Sequence, residues 1–127
     1  DGYRRLHGRP IHRRQVELTS NCLVIRDTVR GRGLHRTESA LYLAVNKPPL
    51  PAHGDLAFDV YGSRLSGSLP IHLDHASFAT AFGEELPCVR ASMSVEGELP
   101  HRFAWRLTWE SPHQPSPEHP ALKEVLP

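Results

Sequence analysis

Apolar and polar residues alternate with a period of two along most of this chain. Antiparallel strands show that pattern when one face meets a core and the other meets water. Residues 99–110 show it most fully. Leu99, His101, Phe103, Trp105, Leu107 and Trp109 share one face, and Arg102, Ala104, Arg106, Thr108 and Glu110 share the other. Such a strand lays two tryptophans and a phenylalanine on a core while its arginines stay in water. The segment 11–18 alternates His12, Arg14, Val16 and Leu18 with Ile11, Arg13, Gln15 and Glu17. In 21–30, Leu23, Ile25, Asp27 and Val29 oppose Cys22, Val24 and Arg26. Leu41, Leu43 and Val45 share a face of 34–45, and 86–95 turns Val89, Ala91, Met93 and Val95 inward. Shorter strands are expected at 56–61 and 69–73. Residues 76–83 suit either a strand or a helical turn, because their alanines fit both.

Punctuation between these runs sets the connections. Thr19-Ser20-Asn21 and Gly31-Arg32-Gly33 read as hairpin turns. Pro48, Pro49 and Pro51 predict a loop over 46–54, and 62–67 reads as another turn. Gly97 and Pro100 bracket the approach to the last strand. Beyond Glu110 the run Ser-Pro-His-Gln-Pro-Ser-Pro-Glu-His-Pro excludes a paired central strand and predicts an extended tail. The fold expected is therefore all-β, an antiparallel β-sandwich of about seven to eight strands. It occupies residues 1–110, with a Pro-rich C-terminal tail over 111–127.

Composition narrows the class without changing it. A hydrophobic share of 39% with 12 prolines among 127 residues suits short strands separated by many turns. No apolar run approaches the roughly 20 residues of a membrane-spanning helix, so no membrane partner is expected. The chain opens Asp-Gly-Tyr-Arg-Arg without a methionine and reads as part of something longer. Cys22 and Cys88 are too few for a disulfide framework. They read as two small buried hydrophobes, with a single bridge between neighbouring strands left open.

Charge is distributed unevenly. Residues 1–36 hold nine arginines against Asp1, Glu17 and Asp27, a balance of +6, which leaves −5 for the rest of a chain whose net charge is +1. The planar guanidinium fork suits carboxylate, sulfate and phosphate. Arg4, Arg5, Arg13 and Arg14 are accordingly the candidate substrate-binding residues for an anionic ligand. The plainer reading is that these arginines are the solvated faces of strands. Few aromatics are interleaved with them, and no nucleic-acid-binding motif appears, which argues against nucleic acid.

Other chemistry is sparse. His72-Leu73-Asp74-His75 is the tightest histidine grouping. On a strand, however, His72 and Asp74 point one way and His75 the other, which is not a three-ligand set. There is no nucleophile elbow, no phosphate-cradling loop and no dinucleotide fingerprint. No catalytic residue, metal ligand or cofactor is assigned. Trp105 and Trp109 are either core residues or an aromatic ladder for stacking sugars, and their exposure discriminates between the two.

Asp1-Gly2-Tyr3-Arg4-Arg5-Leu6 followed by Ile11-His12-Arg13-Arg14-Gln15-Val16 resembles a segment of heparinase II/III-like polysaccharide lyases. The run Leu23 to His35, with its Gly31-Arg32-Gly33 turn, is similar to that family's strand, turn and returning strand. Phe82-Gly83-Glu84 and Leu99-Pro100 resemble its final strand pair. Such enzymes pair a helical toroid with a large antiparallel sandwich and cleave uronate-containing polysaccharides by β-elimination. Their catalytic Asn, His and Tyr and their metal-binding His and Asp lie on segments with no counterpart here. Tyr42-Leu43-Ala44-Val45 also departs from the family's strand end.

The resemblance implies a distal, non-catalytic portion of the sheet domain that supports substrate. Its partners would be an acidic polysaccharide and an upstream helical toroid of the same chain, in a periplasmic or secreted setting. A stand-alone carbohydrate-binding or adhesion module is the alternative. Strands cut from a larger sheet leave an open edge. The chain is therefore expected either to form a homodimer through an exposed sheet edge or to close into a smaller sandwich.

Overall fold

A computed structural model describes residues 8–45, 47–81 and 83–110. These residues form nine strands: β1 (Ile11–Leu18), β2 (Cys22–Arg30), β3 (Leu34–Leu43), β4 (Leu50–His53), β5 (Ala57–Val60), β6 (Ser63–Gly67), β7 (His72–Ala81), β8 (Glu84–Glu98) and β9 (His101–Thr108). One sheet has six strands in the order β1-β2-β9-β6-β5-β4, and the other has three in the order β3-β8-β7. All strand pairings are antiparallel. The two sheets pack as a sandwich, as the alternation predicts. The tail over 111–127 lies outside the described residues, as do Arg4 and Arg5.

Between the sheets lies one core. The large sheet contributes Phe58, Leu65, Phe103 and Trp105; the small sheet contributes Ala91 and Met93; Ile71 enters from the β6–β7 connection. Period-two alternation puts each of these strand residues on the inner side. The expected inward set of β8, Val89 with Ala91, Met93 and Val95, packs against or within that core. Gly67 sits where a Cβ would come within 2.7 Å of the Met93 sulfur. A side chain there would displace the Met93 thioether from the centre of the sandwich.

Three connections or strands differ from the sequence expectation, and a fourth stretch resolves an ambiguity. Gly31-Arg32-Gly33 is a turn, but β2 and β3 do not pair. The chain crosses there from one sheet to the other, with φ of 148° at Gly31 and 89° at Gly33. Two consecutive strands joined by a short glycine turn look alike in sequence whether they pair or face each other.

The Pro-rich stretch expected as a loop carries β4. Pro51 is tolerated because β4 is an edge strand, paired only with β5 and bulged between Pro51 and His53. The stretch 62–67 is not one turn. Tyr61 and Gly62 alone make it, both at positive φ (48° and 79°), and join the Val60–Ser63 pair in a two-residue hairpin. Ser63–Gly67 is then strand β6, whose Leu65 is only 1% exposed. The ambiguous alanines of 76–81 continue β7 as strand because β8 offers an unbroken partner, with one bulge between Ala79 and Ala81.

Cys22 is half-buried on β2 and Cys88 is buried on β8, and both are free thiols. Replacing Leu65 by Ala should cost about 2–5 kcal/mol of stability. Leu18→Ala, at a side chain 71% exposed, should change stability by no more than about 0.5 kcal/mol. Urea unfolding of the two variants checks both values.

Candidate functional site

Alternation sends Arg13 and Arg14 to opposite faces of β1, and cross-strand register then decides what each meets. On the outer face of the large sheet, Arg13 lies opposite Thr28, which lies opposite Arg102. The next rows are Gln15–Arg26–Ala104 and Glu17–Val24–Arg106–Ser66, with Arg30 opposite Ile11. Arg64 stands on the same face, opposite Thr108 and Asp59. Six arginines therefore project from one flat surface assembled from four strands.

Two of them are neutralised locally. Arg26 holds Glu17 at 3.0 Å and Arg64 holds Asp59 at 3.0 Å, both exposed pairs. Among the described residues, the guanidinium groups of Arg13, Arg30, Arg102 and Arg106 have no carboxylate partner, and all four side chains are exposed. Arg13 and Arg102 stand two strands apart, about 10 Å, on this surface. Among the described residues, no Phe, Tyr or Trp of β1, β2, β9 or β6 stands on this face. Its remaining positions include Gln15, Thr28, Ser66 and Thr108, side chains able to hydrogen-bond an oxygen-rich ligand.

Arg14 faces inward and has a different environment. Its Nε donates to Asp27 Oδ1 at 2.7 Å and an Nη to Asp27 Oδ2 at 2.8 Å. His12 Nε2 lies 3.0 Å from the same Oδ1, and Ser39 Oγ donates to Oδ2 at 2.5 Å. The Trp105 indole N–H in turn donates to Ser39 Oγ at 2.7 Å. Asp27 is 2% exposed, so burial pushes its carboxyl up. The hydrogen bonds from Arg14, Ser39 and His12, together with the Arg14 charge, outweigh that and hold it at about 2.

A second tie crosses the sandwich nearby. His101 Nε2 lies 3.1 Å from the Gly97 carbonyl oxygen, and its Nδ1 lies 2.7 Å from Thr37 Oγ1. A carbonyl only accepts, so neutral His101 carries its proton on Nε2 and accepts from the Thr37 hydroxyl.

Of the four sequence-nominated arginines, the structure thus leaves Arg13 on an open cationic surface and binds Arg14 to Asp27. The companions that join Arg13 were not nominated. Arg102 and Arg106 carried a legible signal, since both fall on the wet face of the last strand. Their proximity to Arg13 depends on β2–β9 pairing, which joins residues some 80 positions apart. The buried ion pair also had a signal: Asp27 is a lone charge on the apolar face of Leu23, Ile25 and Val29.

Elsewhere the candidates separate. His72 Nε2 lies 3.1 Å from Asp74 Oδ1 on the exposed face of β7, and His75 falls on the other side of the strand. Among the described residues no three His, Cys, Asp or Glu side chains converge as metal ligands. Trp105 is 1% exposed, and the half-buried Trp109 donates its indole N–H to the Ser20 carbonyl at 3.0 Å. Between the sheets, beside Trp105, an apolar cavity of about 210 Å³ is lined by Leu23, Ile25, Leu41, Leu43 and Leu107 among others. Comparison with protein families, curated proteins and solved structures finds no match to this chain.

The Asp27 carboxyl lies near 3.8 when unfolded and at about 2 when folded, so its contribution is complete above about pH 4 and is lost as pH falls through about 2. That contribution is about 2 kcal/mol. Asp27→Asn should therefore be less stable by about 3 kcal/mol near neutral pH, since Arg14 keeps partial access to water while its partner charge is gone. Between pH 4 and 2 the variant should lose less stability than the parent. Urea midpoints recorded across that range check both expectations.

Proposed function

We propose that this chain is a β-sandwich whose arginine-bearing sheet face holds an acidic polysaccharide. In this reading it is the substrate-supporting, non-catalytic portion of a polysaccharide lyase of the heparinase II/III kind, working beside an upstream helical toroid. One observation carries the reading: among the described residues, Arg13, Arg30, Arg102 and Arg106 stand without carboxylate partners on one exposed face. Leaving like charges together lowers stability slightly unless an anion is met there. Each guanidinium offers a planar fork to a sulfate or carboxylate, and a long repeating polyanion can meet several at once.

The lack of Phe, Tyr and Trp among the described β1, β2, β9 and β6 residues of this face favours a glycan over single-stranded nucleic acid, whose binding relies on base stacking. A sugar-stacking module finds little support on β9, because Trp105 is enclosed in the core. The resemblance of residues 1–35 to the lyase family supports the placement in a larger enzyme, with the elimination chemistry on other segments.

The chain should bind heparin in low salt and release it as salt rises, as charge-dominated binding does. Arg102→Ser with Arg106→Ser should weaken heparin binding about tenfold or more, roughly 1.4 kcal/mol or above, with folding unchanged. Calorimetric titration reads this directly. Incubation with heparin, heparan sulfate, alginate or hyaluronan should release no unsaturated uronate. Turnover proportional to protein would place chemistry in this chain and defeat the scaffold reading.

A further inference from the structure

We infer that β1 pairs with β1 of a second copy of this chain, antiparallel about a twofold axis at Gln15, joining two six-stranded sheets into one. Among the described residues no strand lies beyond β1, and all eight of its residues are exposed, including Val16 at 59% and Leu18 at 71%. Its pairing with β2 runs without a register break. β4 is four residues long, with a proline and a bulge, and β7 is bulged, both devices that blunt a sheet edge. β1 has neither proline nor bulge; β3, the other edge of the small sheet, also lacks both, but its alternate residues are covered whereas every residue of β1 is exposed.

Backbone geometry selects which groups are available. The Thr19 N–H donates to the Cys22 carbonyl at 2.8 Å, making Thr19–Cys22 a hydrogen-bonded pair. Antiparallel ladders alternate, so Glu17, Gln15, Arg13 and Ile11 also bond toward β2. The Trp109 N–H bonded to the Asn21 carbonyl fits the same phase, because the odd residues of β2 face β9. The N–H and C=O groups of His12, Arg14, Val16 and Leu18 therefore point to the open edge.

Side chains then select the register. Cross-strand partners must share a face, so a twofold axis falls on a residue and not between two. Centred on Arg14, two guanidinium groups oppose each other. Centred on Val16, Glu17 meets Gln15. Centred on Gln15, Arg13 of each copy meets Glu17 of the other at non-hydrogen-bonded positions, where side chains approach most closely. Arg14 then lies opposite Val16, and His12 opposite Leu18. Glu17 uses Oε1 for Arg26, which leaves Oε2 for the second copy's Arg13. The Arg14 guanidinium is turned toward Asp27 and away from the joint. Charges that repel an arbitrary partner strand thus complement this one. The pairing engages Arg13 and continues the face of Arg30, Arg102 and Arg106 across the axis, and it does not rest on glycan binding.

The test is made without glycan, so that it can fail independently of heparin binding. Sedimentation equilibrium should give twice the 14.3 kDa chain mass. Amide exchange at Arg14 and Val16 should be about tenfold or more slower in the parent than in a monomeric variant. Val16→Pro removes an edge N–H while sparing the β1–β2 bonds and should yield a monomer. Glu17→Arg should do the same, and Arg13→Glu combined with Glu17→Arg should restore the dimer. A parent chain that stays monomeric overturns the inference, even if those amides are protected, because the edge is then covered from within the chain. A dimer that survives Val16→Pro, or a double swap that stays monomeric, overturns it as well.

Discussion

Everything in this sandwich hangs on how Asp27 is accommodated. A carboxylate that is 2% exposed is costly unless its oxygens are filled, and here they are filled from two strands of opposite sheets. Arg14 and His12 reach it from β1. Ser39 reaches it from β3, across the gap between the sheets. Trp105, the largest enclosed side chain, is oriented through Ser39. The chain Trp105–Ser39–Asp27–Arg14 therefore connects core, small sheet, large sheet and edge strand. Polar groups in a core cost stability but accept few alternative arrangements, which gives the two sheets one relative position.

That network also determines what the surface can do. Because Arg14 is drawn inward, Arg13 is forced outward by the pleat, and the pairings of β2 with β1 and β9 set it in a field with Arg102 and Arg106. A one-residue slip would exchange the faces, turning Arg13 toward Asp27's side of the sheet and Arg14 away from it. The buried ion pair thus keeps the register, and the register assembles the cationic face. The relative placement of the sheets and the cationic face have one cause.

The unequal sheets explain the remaining feature. Three strands cannot cover six, so β1 extends beyond the small sheet with its backbone edge and both faces in solvent. The exposed Val16 and Leu18 lie on its inward side, opposite Ile25 and Leu23, which line the apolar cavity. Such an overhang is where another strand would add least strain, since the Arg14–Asp27 pair already holds β1 in place.

Period-two alternation alone determined the all-β class, the strands expected at 11–18, 21–30 and 99–110 that form as β1, β2 and β9, and the inward set of β8. Those features depend on local backbone geometry and on which side chains water rejects. Alternation failed at β6, where Ser63, Ser66 and Gly67 resemble a turn and only Leu65 is demanded by the core. It failed again at β4, where Pro51 is allowed only because the strand lies at an edge. It also did not tell that β2 and β3 face each other instead of pairing. The partners of Arg13 and of Asp27 were equally hidden, because each lies on another strand and is brought near by register. Local pattern tells which way a side chain points; only the tertiary arrangement decides what it meets, because contact is a property of strands far apart in the chain.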